Sequence, residues 1–248
     1  MRRLVALVLF AAGCGPGEGS APEAPASKTM PAQGSLPRAV DLLAAERLAE
    51  AAAEYRAVLM KDPKSVPALE GLSRIAARMN DAPSSLGFIS RAAELRPDDS
   101  SIVNQLGVAY VSNGRRKEAA QAFDRALAIN PRDAFACLNA AQNQAELGEW
   151  DRAYGHAEAA AEILRADATP WLLMGRFKMR QGKFAEAVAP LREAAKRAPD
   201  EALVQYNLGK ALASAGRRQE AEEPLRAALK GNPPEDVRKE VEALLAGR

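Results

Sequence analysis

Residues 100–131 read SSIVNQLGVAYVSNGRRKEAAQAFDRALAINP, and this stretch decides the fold. Its landmarks are Leu106-Gly107, Tyr110, Gly114, Ala119, Phe123, Ala126 and Pro131. Gly107 and Ala119 are small enough for two helices to approach closely there, and Tyr110 and Phe123 are large enough to fill the space left beside them. Gly114 breaks the chain between the two helices. Pro131 cannot continue a helix, so it closes the unit and opens the next. The stretch predicts one helical hairpin.

The hairpin recurs. Steps of 34 residues from Pro131 land on Pro97 and Pro63 in one direction and on Arg165, Pro199 and Pro233 in the other. The position of Ala119 recurs as Ala51, Ser85, Ala153, Ala187 and Ala221, and that of Ala126 as Val58, Ala92, Ala160, Ala194 and Ala228. Gly107 is answered by Ser73, Ala141, Gly175 and Gly209, and Gly114 by Gly148, Gly182 and Gly216. Six copies in register cover residues 38–234. The pattern, L-G-x-x-Y followed by A-x-x-x-F and a closing Pro, resembles the tetratricopeptide repeat (TPR) family. That resemblance implies an all-α fold, a right-handed α-solenoid of six TPR hairpins.

Several copies depart from the pattern. The first has Leu42 at the Tyr110 position, and the second turns on Asn80-Asp81 instead of glycine. The fourth has Arg165 for the closing proline and Ala157 for the aromatic residue. Gln144 and Lys178 put polar groups at the Tyr110 position of the fourth and fifth copies. Pro190 and Pro224 fall inside second helices at equivalent places, where each removes a backbone hydrogen bond and is expected to bend its helix.

The chain has 248 residues, 48% hydrophobic but only 5% aromatic, as alanine-rich helix packing requires. Its 34 basic and 32 acidic residues give a net charge of +2. Two of the basic residues, Arg2 and Arg3, lie in the expected leader, so the mature chain is near neutral and nothing asks for nucleic acid. Residues 1–13 begin with those arginines and continue with an apolar run from Leu4 to Ala12, too short to span a bilayer but suited to a signal peptide. Ala11, Ala12 and Gly13 precede Cys14, which resembles the lipobox of bacterial lipoproteins. The resemblance implies that Cys14 is lipidated, palmitate being an expected chain, and becomes the new N-terminus. More than one acyl chain gives durable anchoring, because each buried CH₂ contributes roughly 0.8 kcal/mol. Gly15 in place of Asp favours the periplasmic face of the outer membrane, by resemblance to enterobacterial lipoproteins. Residues 14–37 carry the lipid and then a Pro-, Gly-, Ala- and Ser-rich segment expected to be a disordered tether. At the other end, residues 235–248 place Val237, Val241, Leu244 and Leu245 on one helical face, a cap for the last repeat.

Catalytic chemistry is missing from the pattern. The one histidine is His156, no CxxC or HExxH spacing occurs, and no Gly-rich phosphate loop is retained, so no enzyme, metal, cofactor or small-molecule substrate is expected. Cys137 occupies the position of Trp171 in the next repeat and is expected to be buried. What remains is surface. The TPR resemblance implies a concave groove lined by first helices, here including Arg74, Arg78, Asn104, Gln105, Asn139, Gln142, Arg176, Arg180, Tyr206, Asn207 and Lys210. Gln105, Asn139 and Asn207 share one position, where an amide can both donate to and accept from a peptide backbone. Arg74, Arg176 and Lys210 share another, and Arg78 and Arg180 a third; against them stand Glu70 and Glu146. The excess of positive charge favours protein or peptide segments with acidic residues.

The expected function is a membrane-anchored protein–protein interaction scaffold of the bacterial envelope. Its plan of leader, length and six repeats resembles the pilotin lipoproteins that help type IV pilus secretin rings assemble. Assembly of outer-membrane barrels or of other envelope machinery, and a self-associating structural array, are the alternatives.

Overall fold

The computed structural model describes residues 34–247. The expected signal peptide, Cys14 and the tether up to residue 33 lie outside the described residues. The described residues divide into two compact units, one ending at Ala136 and the other beginning at Cys137. All described regular structure is α-helical.

The first unit pairs α1 (Leu36–Ala44) with α2 (Leu48–Lys61), α3 (Val66–Arg78) with α4 (Ala82–Leu95), and α5 (Ser100–Ser112) with α6 (Arg116–Ile129). Successive hairpins meet through α2 on α3 and α4 on α5. The division between the units falls near the start of α7 (Ala134–Leu147). The second unit contains α8 (Trp150–Ile163), followed by the pairs α9 (Thr169–Arg180) with α10 (Phe184–Arg197) and α11 (Ala202–Ser214) with α12 (Arg218–Lys230). The last helix, α13 (Glu235–Leu245), lies on α11 and α12. There Val241 is fully buried, and Val237, Leu244 and Leu245 pack onto the core built around Leu208, Leu212 and Leu225. Cys137 is buried and forms no disulfide among the described residues.

Close approach within each hairpin comes from matched sizes. A Cβ added to Gly107 would meet the Phe123 ring at 2.4 Å, and one added to Gly175 or Gly209 would meet Leu191 at 2.4 Å or Leu225 at 2.6 Å. In each pair the glycine on the first helix makes room for the large side chain on the second. The second repeat uses different chemistry. Ser73 and Ser85, both buried, bond hydroxyl to hydroxyl at 3.0 Å, and Ser73 Oγ also reaches the Ser85 carbonyl at 3.0 Å. In the fourth repeat the Gly107 and Phe123 positions hold Ala141 and Ala157, both fully buried.

The turns inside the hairpins share one conformation. Gly114, Gly148, Gly182 and Gly216 have φ between +72° and +82°, and the equivalent Asn80 and Glu46 both have φ of +58°. Asparagine tolerates this left-handed region, but glutamate rarely adopts it. Glu46 is held there while its carboxylate pairs with Arg78 at 2.7 Å. Gly182 separates backbone from packing, because a Cβ there would meet nothing within 4 Å. Gly182→Ala is therefore expected to lower stability by about 1 kcal/mol through conformation alone, and Gly182→Asn by less. Urea unfolding midpoints of the two variants check this ordering.

The polar residues at the Tyr110 position are accommodated differently. Gln144 is buried, and in the orientation that satisfies both ends its amide donates to Glu149 at 3.0 Å and accepts from Arg152 at 3.2 Å. Lys178 instead lies across the Tyr154 ring, 5.1 Å from its centroid, and bonds Glu186 at 2.9 Å. Both α10 and α12 run through their internal prolines as single helices, with Pro190 and Pro224 buried.

The start of the first repeat departs from expectation. The tether was expected to reach Pro37, yet α1 begins at Leu36, with Ser35 as its N-cap and Pro37 in its first turn. The reason is a buried carboxylate. Glu54 on α2 is 1% exposed, and its Oε2 accepts from the backbone N–H of Gly34 at 2.8 Å and of Ser35 at 3.2 Å. Its Oε1 lies 3.2 Å from Arg38 Nε. Gly34 has φ of +68° and passes so close to α2 that a Cβ would stand 2.9 Å from the Ala57 carbonyl.

Candidate functional surface

The residues expected to line a groove divide into three groups. Asn104, Asn139, Gln142, Tyr206 and Asn207 are all less than a tenth exposed. Asn207 Nδ2 donates to the Leu203 carbonyl one turn back at 2.7 Å, so this amide is engaged within its own helix. Gln105 is half-buried and donates to Glu70 at 3.1 Å and to Ser101 Oγ at 3.4 Å. Gln142 differs, because its Oε1 is buried without a hydrogen-bond donor.

Most of the cations are engaged too. Arg78 pairs with Glu46. Arg180 pairs with Glu146 at 2.6 Å, and its guanidinium lies 5.1 Å from the centroid of the Trp150 ring, which in turn faces Phe177 at 6.5 Å. Lys210 binds Glu240 on α13 at 2.6 Å and donates to Tyr206 Oη at 3.0 Å, while Tyr206 donates to Glu240 at 2.7 Å. Burial works against the Lys210 ammonium, but its bonds to Glu240 and Tyr206 outweigh this and raise its pKa. Burial also raises the pKa of Tyr206.

Arg74 and Arg176 remain, each in its own unit. Arg74 is exposed on α3 and makes no ion pair among the described residues. Arg176, on α9, is partly buried and also makes no ion pair or hydrogen bond among the described residues. Burial, and then the like charge of Arg180, push its pKa below the usual guanidinium value, with Glu146 opposing. A desolvated guanidinium beside a second cation is poised to accept an anion. In the second unit the positions equivalent to Arg176 hold Gln142 one repeat earlier and Lys210 one repeat later. These residues share repeat positions in the sequence, but partners such as Glu240 sit in the cap helix, and only the folded chain brings them into range.

No group of three or more His, Cys, Asp or Glu side chains among the described residues is placed to hold a metal ion. No described helix is long and apolar enough to cross a membrane.

The paired helices, their sized contacts and the repeated left-handed turns define a helical-hairpin repeat protein. Models of the tetratricopeptide repeat match residues 42–106, 101–133 and 172–236, and the chain belongs to the tetratricopeptide repeat family. Among solved structures it is similar to PilW, a widely conserved type IV pilus biogenesis factor, at 20% identity, with a TM-score of 0.73 over 82% of this chain and 95% of that one. It is also similar to YrrB, a TPR protein with an unusual peptide-binding site, at 19% identity and a TM-score of 0.59, covering 77% of this chain and 98% of that one. BBSome complex member bbs-4 of Caenorhabditis elegans is 24% identical over 156 residues. That match spans 62% of this chain and about a third (34%) of the length of the worm protein. The chain is thus a TPR scaffold of the kind that binds protein or peptide partners.

Proposed function

We propose that this TPR scaffold is anchored by a lipid on Cys14 to the periplasmic face of a bacterial outer membrane and assists assembly of a type IV pilus secretin, acting without catalysis of its own. The observation that carries the binding half of this reading is Arg176, a partly buried guanidinium with no anion of its own among the described residues. It calls for a carboxylate from a partner segment, and the Gln142 Oε1 acceptor offers a place for a backbone N–H of the same segment. The leader and Cys14 support the anchor, and the likeness to PilW supports the pilus setting. Confinement to one membrane raises the effective concentration of the partner site without any new contact.

Crosslinking of the full chain in intact cells, followed by capture and fractionation, tests the reading. The native chain is expected in the membrane fraction with a secretin crosslinked to it, and Cys14→Ser is expected to release the chain from that fraction. Arg176→Glu should lower secretin capture at least tenfold, while Arg176→Lys retains most of it. Arg180 is the poorer probe, since a glutamate there would face Glu146 and abandon the Trp150 ring. Recovery of barrel-assembly subunits instead of a secretin, or full capture by a folded Arg176→Glu chain, would overturn the proposal.

A further inference from the structure

The second unit has a cavity of about 550 Å³ that belongs to neither the Arg176 position nor the hairpin cores. It opens between α8, the start of α9 and the end of α10. Trp171 and Arg176 are five residues apart on α9, so they stand about 140° apart around the helix. The cavity coincides with the repeat that lacks the closing proline, and Arg165 lines it at that position.

Its walls are aromatic and its acids are uncommitted. Tyr154, Trp171 and Met174 supply the apolar surface, and Glu158 and Glu162 stand one helical turn apart on α8. Neither glutamate makes an ion pair among the described residues. The two arginines of the lining do not fill the gap. Arg197 lies 4.7 Å from the centroid of the Trp171 ring, and its donors go to the Arg165 carbonyl at 2.8 Å and to the Glu193 carbonyl and carboxylate at 2.7 and 2.8 Å. Glu193 neutralises it. Arg165 Nε donates to the Glu162 carbonyl at 3.2 Å, not to its carboxylate. A second observation is independent of these charges. The Trp171 indole N–H is buried with no acceptor, a deficit that a ligand carbonyl would make good.

We infer that this cavity is a slot for a lysine or arginine side chain of a partner polypeptide. The aliphatic stem lies along Met174 and the aromatic walls, the cation meets Glu158 and Glu162, and a backbone carbonyl of the same segment accepts from the Trp171 N–H. The slot does not rest on the secretin reading. Its preferred charge is opposite to that of the Arg176 position, so one partner segment carrying both signs, or two segments, can be held by the same unit.

The test follows the Trp171 indole N–H resonance of the full chain by NMR during titration with blocked pentapeptides, acetyl-Ala-Ala-X-Ala-Ala-amide. With X as lysine or arginine the resonance is expected to move in a saturable way at millimolar peptide or below. With X as norleucine or glutamate it should stay within a tenth of that shift. Glu158→Gln combined with Glu162→Gln changes only side chains at the rim, and is expected to weaken lysine-peptide binding at least tenfold while the helical circular dichroism is retained. A resonance unmoved by the basic peptides, equal binding of the norleucine or glutamate peptide, or undiminished binding by the folded double variant would each overturn the assignment.

Discussion

Phe123→Ala is expected to cost about 3–5 kcal/mol, since Phe123 is fully buried and its ring fills the space that Gly107 leaves open. Gly107→Ala is expected to cost about 1–3 kcal/mol, because its new methyl group would stand 2.4 Å from that ring. Together the two changes reproduce the fourth repeat, where Ala141 and Ala157 occupy the same positions fully buried. The double variant should therefore be more stable than Phe123→Ala alone, which requires a coupling larger than the cost of about 1–3 kcal/mol for Gly107→Ala by itself. Equilibrium unfolding of the three variants measures this. Simple additivity, with the double variant worse than either single one, would show that size matching is not what sets the distance between α5 and α6.

The second large effect concerns Glu54. Glu54→Ala removes the acceptor for the Gly34 and Ser35 N–H groups and the counter-charge of Arg38. Breaking a buried pair in this way costs about 3–5 kcal/mol. The first helix stands at the end of its unit, so the loss should appear there as detachment, not as collapse of the unit. Hydrogen exchange is expected to show residues 36–44 losing protection, while the buried cluster of Leu69, Ile89 and Ile102 keeps it. Glu54→Gln should recover little, since its amide nitrogen cannot accept from Arg38. Unchanged protection of α1 in Glu54→Ala would mean that Ala39, Leu42 and Leu43 hold the helix unaided.

These two predictions also mark what the amino-acid sequence reveals and what it hides. The Gly107–Phe123 match was legible because size alternation recurs at a fixed period, and the TPR fold follows from that recurrence. Glu54 was not legible. Its equivalents are Phe88, Ala122, His156, Pro190 and Pro224, so no periodic signal marks it, and its partners are backbone groups of a segment that reads as a tether. Glu46 was hidden for a related reason, because its left-handed turn is imposed by the repeat and not by its own side chain. The surface residues stand between these cases. Their shared positions were legible, but whether a cation is free depends on acids about one repeat away, as Glu146 is for Arg180, and on bonds that form only after folding. Arg176 emerged as the exception through burial, which spacing alone does not report.

One pair of contacts bears on how such a chain changes length. Arg91 donates to the Pro63 carbonyl at 3.2 Å, and Arg125, its equivalent one repeat later, donates to the Pro97 carbonyl. Each arginine fastens onto the end of the preceding hairpin, and both fastenings share the 34-residue interval. Excision or duplication of one whole interval in this region would bring an identical hook to an identical eye. The stretch can be edited in quanta of one hairpin, whereas an odd number of residues lost would leave the hook facing the wrong link.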